Sequence, residues 1–257
     1  MSEASTLPLL YTHLAEWFHL LTRPEDYAEV AAICTRAIKE ALPEARTMLE
    51  LGSGGGNTAS HLKRDFAMVL TDLSPQMLAV SQRLNPELEH IEGDMRSLRL
   101  GREFDAVFLH DAVMYMTSED DLRRAIGTAH AHVRPGGVVL IVPDFTRETF
   151  HEGAHTGGHD GEDVTPAQPG RALRYLEWVY DPDPRDTRFL VDFAYLLREP
   201  GSAALKGFIE RHELGLFRRE TWLQLLRDAG FEARALPFEH SKVETVTEMF
   251  LGVKGQG

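Results

Sequence analysis

Through the first half of the chain, short apolar runs alternate with amphipathic stretches of helical length. The runs lie at 47–51, 67–71, 88–91, 104–109 and 138–142, and residues 57–64, 75–84 and 119–133 carry apolar positions at spacings of three and four. Strands covered by helices on both faces read as continuous apolar runs rather than as alternating ones. The pattern therefore predicts a doubly wound α/β domain with a largely parallel sheet. Ahead of it, Tyr27, Val30, Ala31, Cys34, Ile38 and Ala41 recur at helical spacing over 25–42 and stop before Pro43, which predicts a leading helix.

Beyond the last apolar run the pattern breaks. Residues 145–169 are rich in Gly, His, Asp and Thr with almost no apolar periodicity, and are expected to form a long loop. Strand-like runs follow at 173–180, 189–197 and 207–217, separated by Asp-Pro-Asp-Pro and Glu-Pro-Gly, both turn signals, and are expected to form an antiparallel layer. A helix over 219–229 stops at Gly230, and closing strands are predicted at 231–237 and 248–253. Trp178, Tyr180, Phe189, Phe193 and Tyr195 either wall an apolar pocket or form the packing face of this layer.

Composition narrows the partners. With 27 Lys+Arg against 40 Asp+Glu the net charge is −13, which opposes binding to nucleic-acid phosphates or an anionic membrane. Residues 1–9 carry acidic rather than basic side chains before a short apolar stretch, and no apolar run reaches membrane-spanning length, so a cytoplasmic location is expected. The single cysteine, Cys34, falls on the apolar face of the leading helix and is expected to be a core thiol.

The strongest chemical signal is Glu50-Leu51-Gly52-Ser53-Gly54-Gly55-Gly56-Asn57, where a strand should turn into a helix. Glycines let the backbone bend sharply there and approach a ligand closely, so the segment predicts a cofactor site. Dinucleotide-binding domains place glycines at the same turn as G-x-G-x-x-G or A. Here Asn57 stands at the third position, and Glu50 has no role in that fingerprint. Asp72 ends the second strand about twenty residues on, where a carboxylate accepts from both ribose hydroxyls. Its alternative role, capping the helix that starts at Pro75, suits Ser74 better.

These residues resemble the class I S-adenosylmethionine-dependent methyltransferases. Glu50-x-Gly52-x-Gly54-x-Gly56 is similar to their first motif, Asp72 to the acidic second motif, and Gly93-Asp94-Met95 to the third-strand motif. Phe104-Asp105-Ala106-Val107 and Arg134-Pro135-Gly136-Gly137 match the fourth strand and the turn before the fifth, so the resemblance runs from about residue 45 to 145. It implies a seven-stranded Rossmann-like sheet with its last strand antiparallel and S-adenosylmethionine as cofactor. Glu50, Gly52, Ser53, Gly54 and Gly56 would then meet the methionine end. Asp72 and the adjoining Leu73 would hold the ribose side, Asp94 would accept from the adenine amino group, and Met95 would flank the ring.

A narrower resemblance, carried by Gly93-Asp94-Met95-Arg96, Glu148-Thr149-Phe150 and Leu216-Phe217 before an amphipathic helix, is to bacterial small-molecule methyltransferases, including sugar amine N-methyltransferases. It implies that the extra strands cover the active site and that an aromatic segment from Tyr11 to Phe18 helps to close it. The expected organisation is an N-terminal helical cap at 1–44, a cofactor core at 45–145 and 218–257, and a substrate lid at 146–217.

In open α/β sheets ligands sit beyond the carboxyl ends of the strands, which singles out His110 and Asp111 after the fourth strand and Asp144 after the fifth. His110 is a candidate base, or a group orienting the acceptor beside the cofactor, or a histidine bonded within the fold. Asp144 is a candidate catalytic group; Tyr11, Asp111 and His212 are candidate substrate contacts, with a surface histidine as the alternative for His212. His151, His155 and His159 raise a metal site with Asp160 and Asp163, but the glycines between them break the helix that would align the ligands, and no metal is expected. The leading expectation is methyl transfer to nitrogen or oxygen of a small molecule. A nicotinamide-dependent oxidoreductase and a noncatalytic S-adenosylmethionine-binding protein are the alternatives.

Overall fold

Seven strands form the central sheet of the computed structural model, which describes residues 7–241 and 246–256; residues 1–6 of the acidic amino terminus lie outside them. In chain order these strands are β1 (Thr47–Leu51), β2 (Ala67–Asp72), β3 (Glu89–Glu92), β4 (Phe104–His110), β5 (Val133–Val142), β10 (Phe231–Phe238) and β11 (Thr247–Lys254). Their spatial order is β10-β11-β5-β4-β1-β2-β3, and only β11 runs against its neighbours. This is the Rossmann-like sheet with an antiparallel last strand that the sequence resemblance implies. The order reverses beside β1, so the turns leaving β1 and β4 flank a crevice at their carboxyl ends, where such sheets bind ligands.

Successive residues of the inner strands point to opposite faces, and both faces are buried. Leu49, Val107, Leu109 and Ile141 pack beneath α5 (Glu119–His132) and α6 (Arg219–Asp228), through Leu122, Ile126, Trp222 and Leu226. Met48, Leu70, Phe108 and Leu140 face the other way, onto Ala31, Cys34 and Ile38 of α2 (Ala28–Ala41). Each such Leu or Ile contributes roughly 1.5–3 kcal/mol by leaving water. Cys34 is wholly buried in this second layer, and burial pushes its thiol up.

A second sheet of four antiparallel strands joins β6 (Gly153–Gly157), β7 (Ala172–Tyr180), β8 (Arg188–Arg198) and β9 (Leu205–Gly215) in chain order. The expectation of a structureless loop over 145–169 is therefore corrected: Gly153 to Gly157 pair with Val179 to Tyr175. A strand of Gly, Ala, His and Thr shows no apolar alternation, so its partner rather than its own pattern defines it. The helix expected over 57–64 shrinks to one turn, α3 (Ala59–Leu62), followed by tight turns into β2. The aromatic residues of the second sheet divide by alternation. Phe189 and Tyr195 are buried on the face turned inward, whereas Trp178, 57% exposed, faces solvent and walls no pocket.

The amino-terminal segment runs between the two sheets. Short 3-10 turns at Leu9–Tyr11 and Ala15–Trp17 lead into α1 (Phe18–Leu21), and Leu10, Leu14, Trp17 and Leu20 pack against Val164, Leu173, Tyr195 and Leu197. Among the described residues no helix is long and apolar enough to cross a membrane.

Candidate active site

Tight turns at the end of β1 form the floor of the site. Gly52, Gly54 and Gly56 adopt φ of +78°, +53° and +77°, the left-handed region that residues with a Cβ enter at a cost. Space is lacking as well. A Cβ on Gly52 would stand 2.5 Å from Ala112 Cβ and 2.8 Å from Met95 Cε, and one on Gly56 would stand 2.2 Å from Ser81 Oγ. The backbone N–H groups of Gly52 and Ser53 both donate to the carbonyl of Thr71, so the turn is stitched to the end of β2. Asn57, which argued against a dinucleotide, is buried and donates from Nδ2 to the carbonyl of Thr22, fastening the turn to the amino-terminal segment.

Asp72 is fixed on the same floor. Its Oδ2 accepts the N–H of Gly54 and its Oδ1 that of Ser74, each at 2.8 Å, while Ser74 caps α4 (Pro75–Leu84) by accepting from the N–H of Met77. Burial raises its pKa against the lowering effect of these N–H groups. An ionised carboxylate has about four lone-pair sites, so the N–H groups of Gly54, Ser74 and Leu73 leave acceptor capacity for a ribose hydroxyl. Leu73 beside it is 42% exposed, an uncovered apolar side chain.

Glu50 lies beneath the turn, 3% exposed, with Oε2 lacking any hydrogen-bond partner. Burial, with smaller contributions from Asp72 and Asp111, pushes its carboxyl up to about 8. A buried acceptor without a donor is costly unless a ligand supplies one. The amino group and sulfonium of S-adenosylmethionine are cationic, so the orphaned carboxyl, the glycine turn and the backbone-held Asp72 fit that cofactor. Asp94, expected to accept from the adenine amino group, is held by Arg96 through the backbone N–H at 2.8 Å and the guanidinium at 2.6–3.1 Å. That bond, outweighing burial, holds the carboxyl below its usual range, and Arg96 reaches on to Asp121 at 3.3 Å. An adenine amino group would share Asp94 with this arginine.

At the end of β4, His110 has both ring nitrogens engaged. Nε2 lies 2.9 Å from Asp111 Oδ1 and Nδ1 lies 3.4 Å from Thr58 Oγ1, while the ring stacks on Phe108 and meets the edge of Tyr27. Asp111 is, among the described residues, the one non-glycine residue with positive φ, at 44°. Such backbone costs about 1–3 kcal/mol and persists where the surroundings impose it. Its carboxyl also bonds to Asp144, which follows β5. Burial would raise Asp111, but His110 outweighs it and holds Asp111 below the ordinary value, whereas burial and then Asp111 itself keep Asp144 well above. The pair thus keeps one proton, on Asp144, as expected for touching carboxyls. Asp144 is exposed and the Asp111 side chain keeps 45% of its surface, so the two line a cleft open to solvent.

Opposite stands the inner face of the second sheet. Glu177 on β7 projects into the cleft with its pKa raised by burial, and it acts on Asp144. His212 on β9 is not a surface residue; it is 4% exposed and bonds to Tyr115 Oη at 2.7 Å. Tyr115 in turn meets the hydroxyl of Tyr11 at 3.0 Å. The structure thus gathers Tyr11, Asp111, Asp144 and His212 around one cleft, with the glycine turn and Asp72 at one side. Tyr115, Glu177 and Glu210 have no place in the sequence reading, which gives Tyr27 only as an apolar position of the leading helix. The signals for two of them were Glu210 two residues before His212 and Glu177 alternating with Tyr175 and Val179, each spacing putting both residues on one face of a strand. His151, His155 and His159 form no group of three or more metal-ligating side chains among the described residues.

A Rossmann-like sheet whose glycine turn, Asp72 and orphaned Glu50 meet at one crevice defines an adenosyl-cofactor domain, and the comparisons make the class specific. Residues 48–137 match a family model described as a methyltransferase domain. The chain is 31% identical over 219 residues to the dTDP-4-amino-2,3,4,6-tetradeoxy-D-glucose N,N-dimethyltransferase of Saccharopolyspora spinosa, covering 84% of this chain and 83% of the relative. The solved sugar N-methyltransferase of Streptoalloteichus superposes with a TM-score of 0.79 at 26% identity, over 99% of this chain and 96% of the other. A second structure, an amino pentose methyltransferase of Micromonospora echinaspora with S-adenosylmethionine bound, shares the fold with a TM-score of 0.73 at 21% identity, over 99% of this chain and 100% of the other. The chain belongs to the class I S-adenosylmethionine-dependent methyltransferases. It is an enzyme that takes S-adenosylmethionine as its cofactor and methylates nitrogen or oxygen of a small molecule. Neither the nicotinamide nor the noncatalytic alternative finds support in these similarities.

Proposed function

We propose that the acceptor is the amino group of a nucleotide-linked deoxysugar, and that the four-stranded sheet with the amino-terminal segment forms the lid over it. The observation that carries this reading is the character of the cleft. Asp111, Asp144 and Glu177 face it among Tyr11, Tyr27 and Phe193, and among the described residues neither Asp144 nor Glu177 has a Lys or Arg ion-pair partner. An acidic cleft without a Lys or Arg counter-ion for Asp144 and Glu177 favours a cation over a neutral hydroxyl. The relatives named above act on amino sugars, which supports the same choice.

Bound S-adenosylmethionine supplies an activated methyl group whose displacement needs little help beyond alignment. In this reading the glycine turn and Asp72 fix the donor side, and Leu73 and Met95 cover the adenine edge. Asp144 and Glu177 orient the amine, His110 locks Asp111 and through it Asp144, and the second sheet keeps water away. The acidic charge is in keeping with a cytoplasmic small-molecule enzyme that engages neither nucleic acid nor membrane.

Incubation with S-adenosylmethionine and a dTDP-linked amino deoxysugar, followed by mass spectrometry, tests the proposal. One or two added methyl groups and matching S-adenosylhomocysteine are expected; the hydroxyl analogue should remain unchanged. Methylation of the hydroxyl sugar in preference to the amine would overturn it.

A further inference from the structure

Strands covered on both faces read as continuous apolar runs, and β8 is such a strand: Phe189-Leu190-Val191 and Phe193-Ala194-Tyr195-Leu196-Leu197 are interrupted only by Asp192. One face accounts for half of that run. Phe189, Val191, Tyr195 and Leu197 are buried on the inner side of the second sheet. Glu210 on the same side of β9 fastens the amino-terminal segment there, accepting the N–H groups of Leu9 at 2.6 Å and Leu10 at 3.2 Å. The other half of the run, Leu190, Ala194 and Leu196, points outward, and Leu196 is exposed.

The outward side chains form a patch. Among the described residues seven large apolar side chains are exposed, and five of them, Leu176, Trp178, Leu196, Leu205 and Ile209, stand on this one face, Ile209 at 80%. Single exposed apolar residues are ordinary, but a cluster of them marks a contact surface. Cross-strand pairing draws the cluster together: Leu176 faces Ala194 and Ala194 faces Ile209 in one row, with Leu196 in the row to one side and Trp178 in the row to the other. Paired charges frame this centre. At one end Arg174 and Arg198 reach Asp160 at 3.2 and 3.6 Å; toward the other, Arg211 meets Asp192 at 2.7 Å and Arg188 meets Glu213 at 2.6 Å. An apolar centre inside a polar rim is the anatomy of a protein interface.

We infer that this outer face docks on the same face of a second copy of the chain, giving a two-fold dimer joined through the two four-stranded sheets. Charge, self-complementarity and area select a second copy. The strands present Arg174, Arg188, Arg198 and Arg211 outward against Asp192 and Glu213, so the acidic excess of a chain of net charge −13 is absent from this face. A two-fold interface needs a patch that complements itself. Here the apolar centres meet each other, and the ion pairs are closed within each copy, so no unpartnered charge is buried. With β8 and β9 of 11 residues each, the four strands span roughly 36 by 19 Å, a face on the order of 700 Å² and close to the roughly 800 Å² per partner of a stable interface. The second copy completes the two-layer packing that a sheet apolar on both sides requires. It also backs the wall whose inner side bears Glu177 and His212, whichever acceptor the enzyme takes.

Sedimentation equilibrium of the full chain over about 1 to 100 μM tests the inference, with Ile209→Glu and the double variant Leu196→Glu/Ile209→Glu beside the parent. The parent is expected at twice the mass of one chain. Each substitution enters a two-fold interface twice, so the dimer Kd should rise roughly 10-fold or more for the single variant and 100-fold or more for the double one. Thermal unfolding and cofactor Kd verify that each variant is folded, and Ile209→Glu alone decides where the double variant loosens the chain. A parent that is monomeric over the whole range would overturn the inference, including one that instead pellets with lipid vesicles. A dimer whose Kd is the same in the folded variants would place the contact on another surface and overturn it equally.

Discussion

Gly54 donates its backbone N–H to Asp72 at 2.8 Å, which makes the turn after β1 and the end of β2 one rigid unit. The carboxylate is thereby placed before any ligand arrives. Replacement of Asp72 by Ala removes both a charged acceptor and the anchor of the turn. Cofactor binding measured by calorimetry should weaken by about 2–4 kcal/mol with the chain still folded. Asn, which keeps one acceptor for Gly54, should lose less; equal binding by parent and Ala variant would mean that the ribose is held elsewhere.

Glu50 makes both stability and cofactor affinity depend on pH. Its folded carboxyl is raised from 4.5 to about 8, chiefly by burial, so it keeps its proton where the unfolded chain has lost its own. Between those values the folded state binds more protons, and its stability falls as pH rises; above about 8 the contribution is flat. A cationic ligand beside the carboxyl favours ionisation, so S-adenosylmethionine binding near pH 7 should release close to one proton, seen as a dependence of binding heat on buffer ionisation. Glu50→Gln should abolish the proton release and flatten the stability profile.

His110 is expected to orient rather than to accept a proton, because Asp111 and Thr58 already occupy its nitrogens. His110→Gln should lower turnover less than roughly tenfold, raise the acceptor's KM, and leave cofactor affinity and the pH profile in place. A hundredfold fall in kcat together with loss of a pH inflection would make it the base instead.

The four-stranded sheet should behave as a lid. If the acceptor binds between that sheet and the core as proposed, hydrogen exchange over 153–215 should slow when cofactor and acceptor analogue are both present. Exchange unchanged throughout that span would leave the sheet a fixed wall.

The parallel core was legible because its strands are buried on both faces and bounded by turn residues; β1 and α4 begin and end where the apolar pattern says. β6 was hidden because Gly153 to Gly157 carry no apolar code and become a strand only by pairing with β7. In the site, glycines and Asp72 announce themselves through spacing. Tyr115 does not, since what selects it is His212, 97 residues away in sequence. The engagement of Asp94 by Arg96 was equally invisible, because a local two-residue pair looks like any surface ion pair until its geometry is known.

The anchoring of Leu9 and Leu10 by Glu210 spans 201 and 200 residues of sequence. On the ribosome Leu9 and Leu10 emerge some 200 residues ahead of their carboxylate partner, so meanwhile they lack the carboxylate that anchors them. The glycine turn and its neighbouring strands can assemble from local and mid-range contacts much earlier. A nascent chain halted before β9 would therefore carry the glycine turn and its neighbouring strands with the amino-terminal segment still undocked.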